Sequence, residues 1–537
     1  MSAPTGTPTT PDPARPGPGP GRAGTATAPD PVTATTGTGP GTAVPRRAGR
    51  VSAALGWSYV LIGGQVGASL VVTFVLARLL GPTAYGLLAM AMVFITVAQV
   101  LIQQGLVSAI VQRDRLTDEH LDAAFGVLVI AGVGVGLLAA AASPLWALVN
   151  RQPALTPVCL ALTPMVVLQG LAIVPEAVLR RELRFRAVAV RTLVAAVLSG
   201  AAGVVLALAG AGVWALVVQQ LVTAVTSLVV LWVACPWRPS RRPRLGAIRE
   251  LWAYSAHSAN AGLAMLLSAK AELIFTGLFF GPVATGIYRL AARLPDMLVD
   301  VTVRSIQQVS LPSLSRLQSD RAAFAAHLIE LQHLGTAVGL PVLGVLAATA
   351  GPLVDLLGPQ WAGSELPMRL LCLYGAANVY GLLLGPALQA IGRPAKLAAI
   401  AWTRGVLGVL TLAAVGTAMT GSRPVTAAAT VALAGVGLQV FVNALSVWVT
   451  VHRVVGASVS AFLAPTVPAA LAAVAAALVP LPLGRLGLTG HGPWTGFLVL
   501  GTVAAVAAGT VLWTTDRRLR RLVLTRVRRL HASPPGS

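Results

Sequence analysis

RLLGPTAYGLL at residues 78–88 returns as LFFGPVATGIY at residues 278–288. Gly81, Pro82, Ala84 and Gly86 recur as Gly281, Pro282, Ala284 and Gly286, each 200 residues on. A Gly-Pro pair alone means little in a chain with 55 Gly and 37 Pro. Its place gives the repeat weight. Both copies stand at the turn after the first apolar run of a half-chain, so the sequence reads as two copies of one unit.

Outward from these turns, apolar runs of roughly 20 residues follow one another, the length a helix needs to cross a bilayer. Fourteen are expected, at about 55–77, 85–108, 122–143, 155–177, 192–210, 212–235, 252–280, 284–309, 328–357, 367–391, 397–419, 425–449, 459–480 and 494–514. All should be helices, because lipid offers no partner to an unpaired backbone group. The expected fold is an all-α membrane protein with two pseudo-symmetric six-helix lobes and two further C-terminal helices. Its parts are a disordered cytosolic tail (1–50), an N-lobe (51–235), a basic cytosolic linker (236–250), a C-lobe (251–455), helices 13 and 14 (456–515) and a basic amphipathic cytosolic tail (516–537). Each lobe starts inside, so the repeats are parallel about an axis along the membrane normal. The first tail is rich in Pro, Gly, Thr and Ala without apolar periodicity. It does not read as a signal peptide, since no apolar segment follows a basic start.

Composition agrees with the membrane reading. The chain of 537 residues is 55% hydrophobic and 10% charged, with mean hydropathy +0.78. A soluble domain carries about 25% charged residues. The net charge of +22 would suggest nucleic acid in a soluble protein. Here it falls in short loops and tails, where it sets orientation and meets anionic lipid, so no nucleic-acid partner is expected. With the N-terminus inside, the inner loops and C-terminal tail hold 24 Arg and Lys, against only Arg78, Arg151, Arg423 and Arg485 outside. That asymmetry predicts that both termini lie in the cytosol, and the expected location is a bacterial inner membrane. The abundance of Arg, Ala, Gly and Val fits a GC-rich bacterial genome.

Charges inside the runs are the candidate site. Arg289, Arg293, Asp296, Asp300 and Arg304 are spaced 4, 3, 4 and 4 along helix 8. On a continuous helix they share a stripe of about 80° and rise roughly 22 Å. Charge in lipid costs several kcal/mol, so this stripe must face protein or a wet cavity. Either it lines a cavity, or Arg293 pairs with Asp296 and Asp300 with Arg304 to lock the lobes. Helix 7 adds His257 and Asn260 near its cytosolic end, with Lys270 and Glu272 deeper and on different faces. Arg404 in helix 11 is either a snorkelling residue or a polar site of the second lobe. Arg289, Arg293 and Arg304 are the expected substrate contacts, and Asp296, Asp300, Glu272 and Lys270 the charge partners or ion-coupling groups.

Signatures of enzymes and metals are missing from the sequence. Neither Lys270 nor Lys396 stands in a P-loop, no HExxH or Asp-x-Asp occurs, and His327, Glu330 and His333 lack the spacing of a zinc helix. Cys159, Cys235 and Cys372 lie in or beside apolar runs without a CxxC, and read as core residues. No catalytic residue, metal or cofactor is expected.

The stretch LARLLGPTAYGLLAMAMVFITVAQVLIQQGLVSAIVQRDRLTDEH (76–120) resembles the opening of the polysaccharide flippases within the multidrug/oligosaccharidyl-lipid/polysaccharide exporter superfamily. LRRELRFRAVAV (179–190), GAGVWALVVQQL (210–221) and FFGPVATGIYRLAARLPDML (279–298) are similar too. The likeness covers about residues 50–455. It implies a V-shaped pair of lobes, alternating access, and an undecaprenyl-pyrophosphate-linked oligosaccharide as cargo, for capsule, exopolysaccharide or lipopolysaccharide biosynthesis. Expected partners are that lipid-linked oligosaccharide, anionic membrane lipids, and a glycan polymerase with glycosyltransferases. Three rivals remain at this point. A cation-coupled multidrug antiporter of the same fold would want an acidic or aromatic lumen. A membrane glycosyltransferase or polymerase would want a large extramembrane loop with carboxylates. A non-transporting component of a glycan-assembly complex would tolerate neutral residues in helix 8.

Overall fold

Backbone groups that must pair within lipid leave the helix as the local solution. In the computed structural model the described residues are 67–112, 118–182, 184–239, 245–482, 492–521 and 524–525, and no strand occurs among them. The tail 1–50, Arg113 and Arg115, residues 240–244 of the linker, and the C-terminal residues from 526 lie outside the described residues. So do the side chains of His257, Asn260 and Arg304.

The first half-chain comprises α1 (Gly67–Leu79), α2 (Pro82–Gln112), α3 (Asp118–Val149), α4 (Leu155–Leu162), α5 (Pro164–Arg181), α6 (Phe185–Leu208) and α7 (Val213–Ala234). The second comprises α8 (Leu245–Thr302), α9 (Arg304–Ser315), α10 (Arg321–Leu357), α11 (Glu365–Gly381), α12 (Leu384–Ala390), α13 (Pro394–Ala418) and α14 (Pro424–Val447). Then follow α15 (Val459–Leu463), α16 (Val467–Leu478) and α17 (Pro493–Thr515). Twelve helical spans among the described residues are long and apolar enough to cross a membrane. One of them, Lys270–Thr302, bends at Gly281, whose φ of 76° and ψ of −170° leave helical geometry, so it serves as two expected segments. Gly67–Leu79 is the described part of the first. Each of the fourteen runs thus meets a helix. Large side chains such as Leu137, Leu148 and Val233 stand open on the outer faces, as residues facing lipid should. The protein is an all-α, multi-pass membrane protein.

The eighth run does not continue to residue 309 unbroken. Its helix ends at Thr302, Val303 takes φ −100°, and α9 begins at Arg304. The stripe that the 4-3-4-4 spacing draws therefore loses its last member to the next helix.

Packing of α2 against α8 makes the junction of the two half-chains. A Cβ added at Gly86 would run into the Pro282 carbonyl, and one at Gly286 into the Pro82 carbonyl. The two contacts are images of each other under the shift of 200 residues. Glycine permits this backbone approach, the usual device where helices pack without a hydrophobic drive. Beside the crossing, Trp361 Nε1 donates to the Ala77 carbonyl at 2.7 Å and Gln360 Nε2 to the Arg78 carbonyl at 2.9 Å. Arg78 Nη1 returns a bond to the Leu356 carbonyl at 3.0 Å. The half-chains are thus fastened at the end that carries the two Gly-Pro turns.

Helices α16 and α17 lie against α10 and each other, through a seam of Ala348, Ala472, Ala476, Ala504 and Ala508. His333 and Asp516, both buried, close this appendage with a contact of 2.6 Å between Nε2 and Oδ2. Asp516 Oδ1 also accepts from the backbone N–H of Arg518 and Leu519, and so caps the start of the basic C-terminal segment.

Candidate functional site

A polar side chain within an apolar helix must find water or a partner. In the first half-chain such residues recur at helical spacing: Ser69 and Thr73 on α1, Thr192 and Ser199 on α6, Gln219, Gln220, Thr223 and Ser227 on α7. In the second, Lys270, Arg289 and Arg293 stand on α8. All of them line one cavity of about 550 Å³ between the half-chains. Arg191 of α6 joins them from the opposite wall. Among the described residues, four cations and no carboxylate line this space.

Each cation has a different neighbourhood. Arg293 Nη2 donates to Ser69 Oγ at 3.3 Å, across the two half-chains. Arg289 and Lys270 make no hydrogen bond or ion pair among the described residues. Arg191 Nη1 meets Glu176 Oε2 at 2.7 Å, while its buried Nε has no partner. Glu176 also takes Arg180 at 2.7 Å, so one carboxylate serves two arginines. The wall keeps a surplus of positive charge in a region where each uncompensated charge costs several kcal/mol. An anion entering the cavity relieves that cost.

A smaller cavity of about 80 Å³ adjoins on the side of the second half-chain. Lys270 and Arg289 border both spaces, whereas Glu272, Tyr288, Asp296 and Tyr374 border only this one. Arg404 Nη2 donates to Tyr374 Oη at 2.5 Å, and Tyr374 Oη donates to Glu272 Oε1 at 3.5 Å. Arg404 is thus a polar site of the second half, tied through Tyr374 to a buried glutamate. Pro295 also borders this cavity. It lacks the N–H that would bond the Ala291 carbonyl one turn back, which loosens the helix between Arg293 and Asp296.

Of the residues singled out in the sequence, Lys270, Arg289 and Arg293 come together in the larger cavity. Glu272 and Asp296 stand beside them in the smaller one. Asp300 borders neither, and Arg304 lies past the break at Val303. Arg293 forms no ion pair with Asp296; its partner is Ser69. Sequence reasoning missed Arg191, which reads as an inner-loop basic residue until α6 is seen to carry it inward. It missed the neutral wall as well. The signal was present, since Gln219, Thr223 and Ser227 repeat every four residues in an apolar helix. Cys159, Cys235 and Cys372 are buried and free.

The comparisons with known proteins agree with this architecture. Residues 75–365 match a family model described as polysaccharide biosynthesis protein. The chain is 25% identical over 496 residues to the succinoglycan biosynthesis transport protein ExoT of Rhizobium meliloti (strain 1021), covering 91% of this chain and 98% of that one. It is 24% identical over 349 residues to the lipopolysaccharide biosynthesis protein WzxC of Escherichia coli (strain K12), covering 63% and 69%. Among solved structures it resembles the lipid II flippase MurJ in its inward closed conformation, with TM-score 0.65, 11% identity, and coverage of 85% and 98%. An inward-facing multidrug transporter of the MATE family gives TM-score 0.54 at 15% identity, covering 76% and 94%. These two likenesses concern the fold. With more than half of its length matched by the family model, the chain belongs to the polysaccharide biosynthesis protein family.

Proposed function

We propose that this protein flips an undecaprenyl-pyrophosphate-linked oligosaccharide across the bacterial cytoplasmic membrane by alternating access, for surface polysaccharide biosynthesis. The observation that carries the reading is the cavity wall, which among the described residues holds Arg191, Lys270, Arg289 and Arg293 and no carboxylate. A pyrophosphate brings negative charge and only acceptor oxygens. Guanidinium groups meet it with paired donors. The glycan shares the wet cavity and the polyprenyl chain stays in lipid. Arg289 and Arg293 are assigned to the pyrophosphate, with Lys270 beside them. Asp296, Asp300 and Glu272 are assigned to charge balance and ion coupling. A cation-coupled drug antiporter would need an acidic lumen to receive its cargo, and the larger cavity has the opposite sign.

The test uses purified protein in vesicles that contain labelled lipid-linked oligosaccharide. Flipping is expected without nucleotide and is expected to accelerate under an imposed proton or sodium gradient. Both a cytosolic origin of the cargo and coupling to the gradient are parts of the proposal. A strict requirement for ATP in such vesicles, or transport of organic cations in preference to the pyrophosphate lipid, would overturn it.

A further inference from the structure

The cationic wall accounts for one side of the larger cavity and leaves the other side unexplained. On α7, Gln219, Gln220, Thr223 and Ser227 fall within about 100° of helix arc and extend along roughly 12 Å of the axis. All four border the cavity. The Thr223 hydroxyl donates to the carbonyl of Gln219 at 2.8 Å, one turn back, and is spent there. The carboxamides of Gln219 and Gln220 are different. Neither makes a side-chain hydrogen bond among the described residues.

That freedom is unusual for amides inside a membrane span. The second half-chain shows how this protein treats amides used for structure. There Gln439 Nε2 donates to Asn378 Oδ1 at 3.3 Å and to Asn443 Oδ1 at 3.2 Å, while Asn443 Nδ2 donates to the Ala377 carbonyl at 2.5 Å. Each carboxamide in that cluster has a protein partner, although the buried Oε1 of Gln439 is left unpaired. Gln219 and Gln220 have the cavity instead. Gln219 is also held in place, because Gly203 of α6 leaves room for its stem. A Cβ at Gly203 would stand 3.3 Å from Gln219 Cβ and 3.4 Å from Gln219 Cγ. The polar end of Gln219 is thus presented from a packed stem and aimed at the space that the cations face.

The chemistry of the two walls differs in kind. Arg and Lys only donate, which suits phosphate oxygens. A carboxamide both donates and accepts. Sugar hydroxyls and acetamido groups also do both, whereas a pyrophosphate has no donor for the carbonyl half of the amide to accept. We infer that Gln219 and Gln220 form a glycan-reading subsite, which binds the sugars next to the pyrophosphate while α8 holds the pyrophosphate itself. The assignment rests on the proposed cargo and adds the residues that select its sugar portion.

The experiment measures binding to purified protein in nanodiscs with two probes. One is undecaprenyl pyrophosphate without sugar. The other is the lipid-linked oligosaccharide extracted from cells that lack this protein. The wild type should bind the glycosylated lipid on the order of ten-fold more tightly than the bare one, the gain expected from two amide contacts. Gln219→Leu/Gln220→Leu should lose that gain and keep the wild-type affinity for undecaprenyl pyrophosphate, which also shows that the variant is folded. Gln219→Asn should recover little, because the shorter stem withdraws the amide. Arg289→Ala/Arg293→Ala should lose affinity for both probes. A double glutamine variant that keeps the full preference for the glycosylated lipid overturns the subsite. So does a wild type that binds both probes equally, which leaves the pyrophosphate reading intact. A wild type that binds neither probe overturns both readings.

Discussion

At the scale of single residues, Arg293 is the most informative position. It stands on α8, borders the larger cavity, and reaches across to Ser69. Arg293→Ala should lower flipping at least roughly ten-fold, since a charge-assisted hydrogen bond is worth about 1.5–3 kcal/mol. Protein levels in the membrane should be unchanged. Arg293→Lys should recover part of the activity, because a point charge lacks the planar fork. If the residue only locked an Arg293–Asp296 pair, the double variant Arg293→Ala/Asp296→Ala would regain function through apolar packing. With Ser69 as the observed partner, no rescue is expected. Glycan export in the three variants decides the matter. Much of this was legible in the sequence. The spacing of Arg289, Arg293 and Asp296 already placed them on one helix face. The relay from Arg404 through Tyr374 to Glu272 was not legible, since its members are far apart in the chain and Tyr374 looks like any buried aromatic. Arg191 was hidden for a different reason. Its basic neighbours 180–186 gave it the look of a loop residue, and only the start of α6 at Phe185 turns it inward.

At the scale of elements, the crossing of α2 and α8 depends on two hydrogen atoms in place of side chains. Gly86→Leu and Gly286→Leu should destabilise the protein to similar extents, each by at least about 2 kcal/mol, the cost of overpacking a close contact. Gly134→Leu on α3 is the control, since nothing lies within 4 Å of a Cβ there. Thermal unfolding in detergent should show lower midpoints for the first two and an unchanged one for the third. Unequal effects at Gly86 and Gly286 would count against a symmetric crossing. The sequence repeat announced these positions, because Gly-Pro and Gly recur at matched places. It did not announce that the two copies would meet face to face. Hydropathy finds runs, not their neighbours. Nor did it give the break at Val303, where no glycine marks a stop and the residue is a good apolar former of membrane helices.

At the scale of the whole molecule, the basic residues of the loops predict that both termini and the linker 236–250 face the cytosol. A cysteine introduced at Ser240 should be labelled by a membrane-impermeant reagent only after the cells are opened. Cys159, Cys235 and Cys372 are buried, which keeps the background low. Labelling in intact cells would refute the orientation. The fold class and the number of segments followed from hydropathy alone, because a bilayer fixes the length of each helix. The cavity did not, since it forms from residues of α1, α2, α6, α7 and α8 that come together only on packing. The reciprocal contact of Gly86 with Pro282 and Gly286 with Pro82 carries one more consequence. A patch that meets its own copy is what a two-fold dimer has, an isologous interface drawn here within one chain. Each half already owns the surface that the other recognises, so assembly is expected without the covalent tie. Two polypeptides made by cutting the chain between residues 240 and 244, when expressed together, should find each other in the membrane and copurify. Leucine at Gly86 of the first fragment alone should be enough to keep them apart.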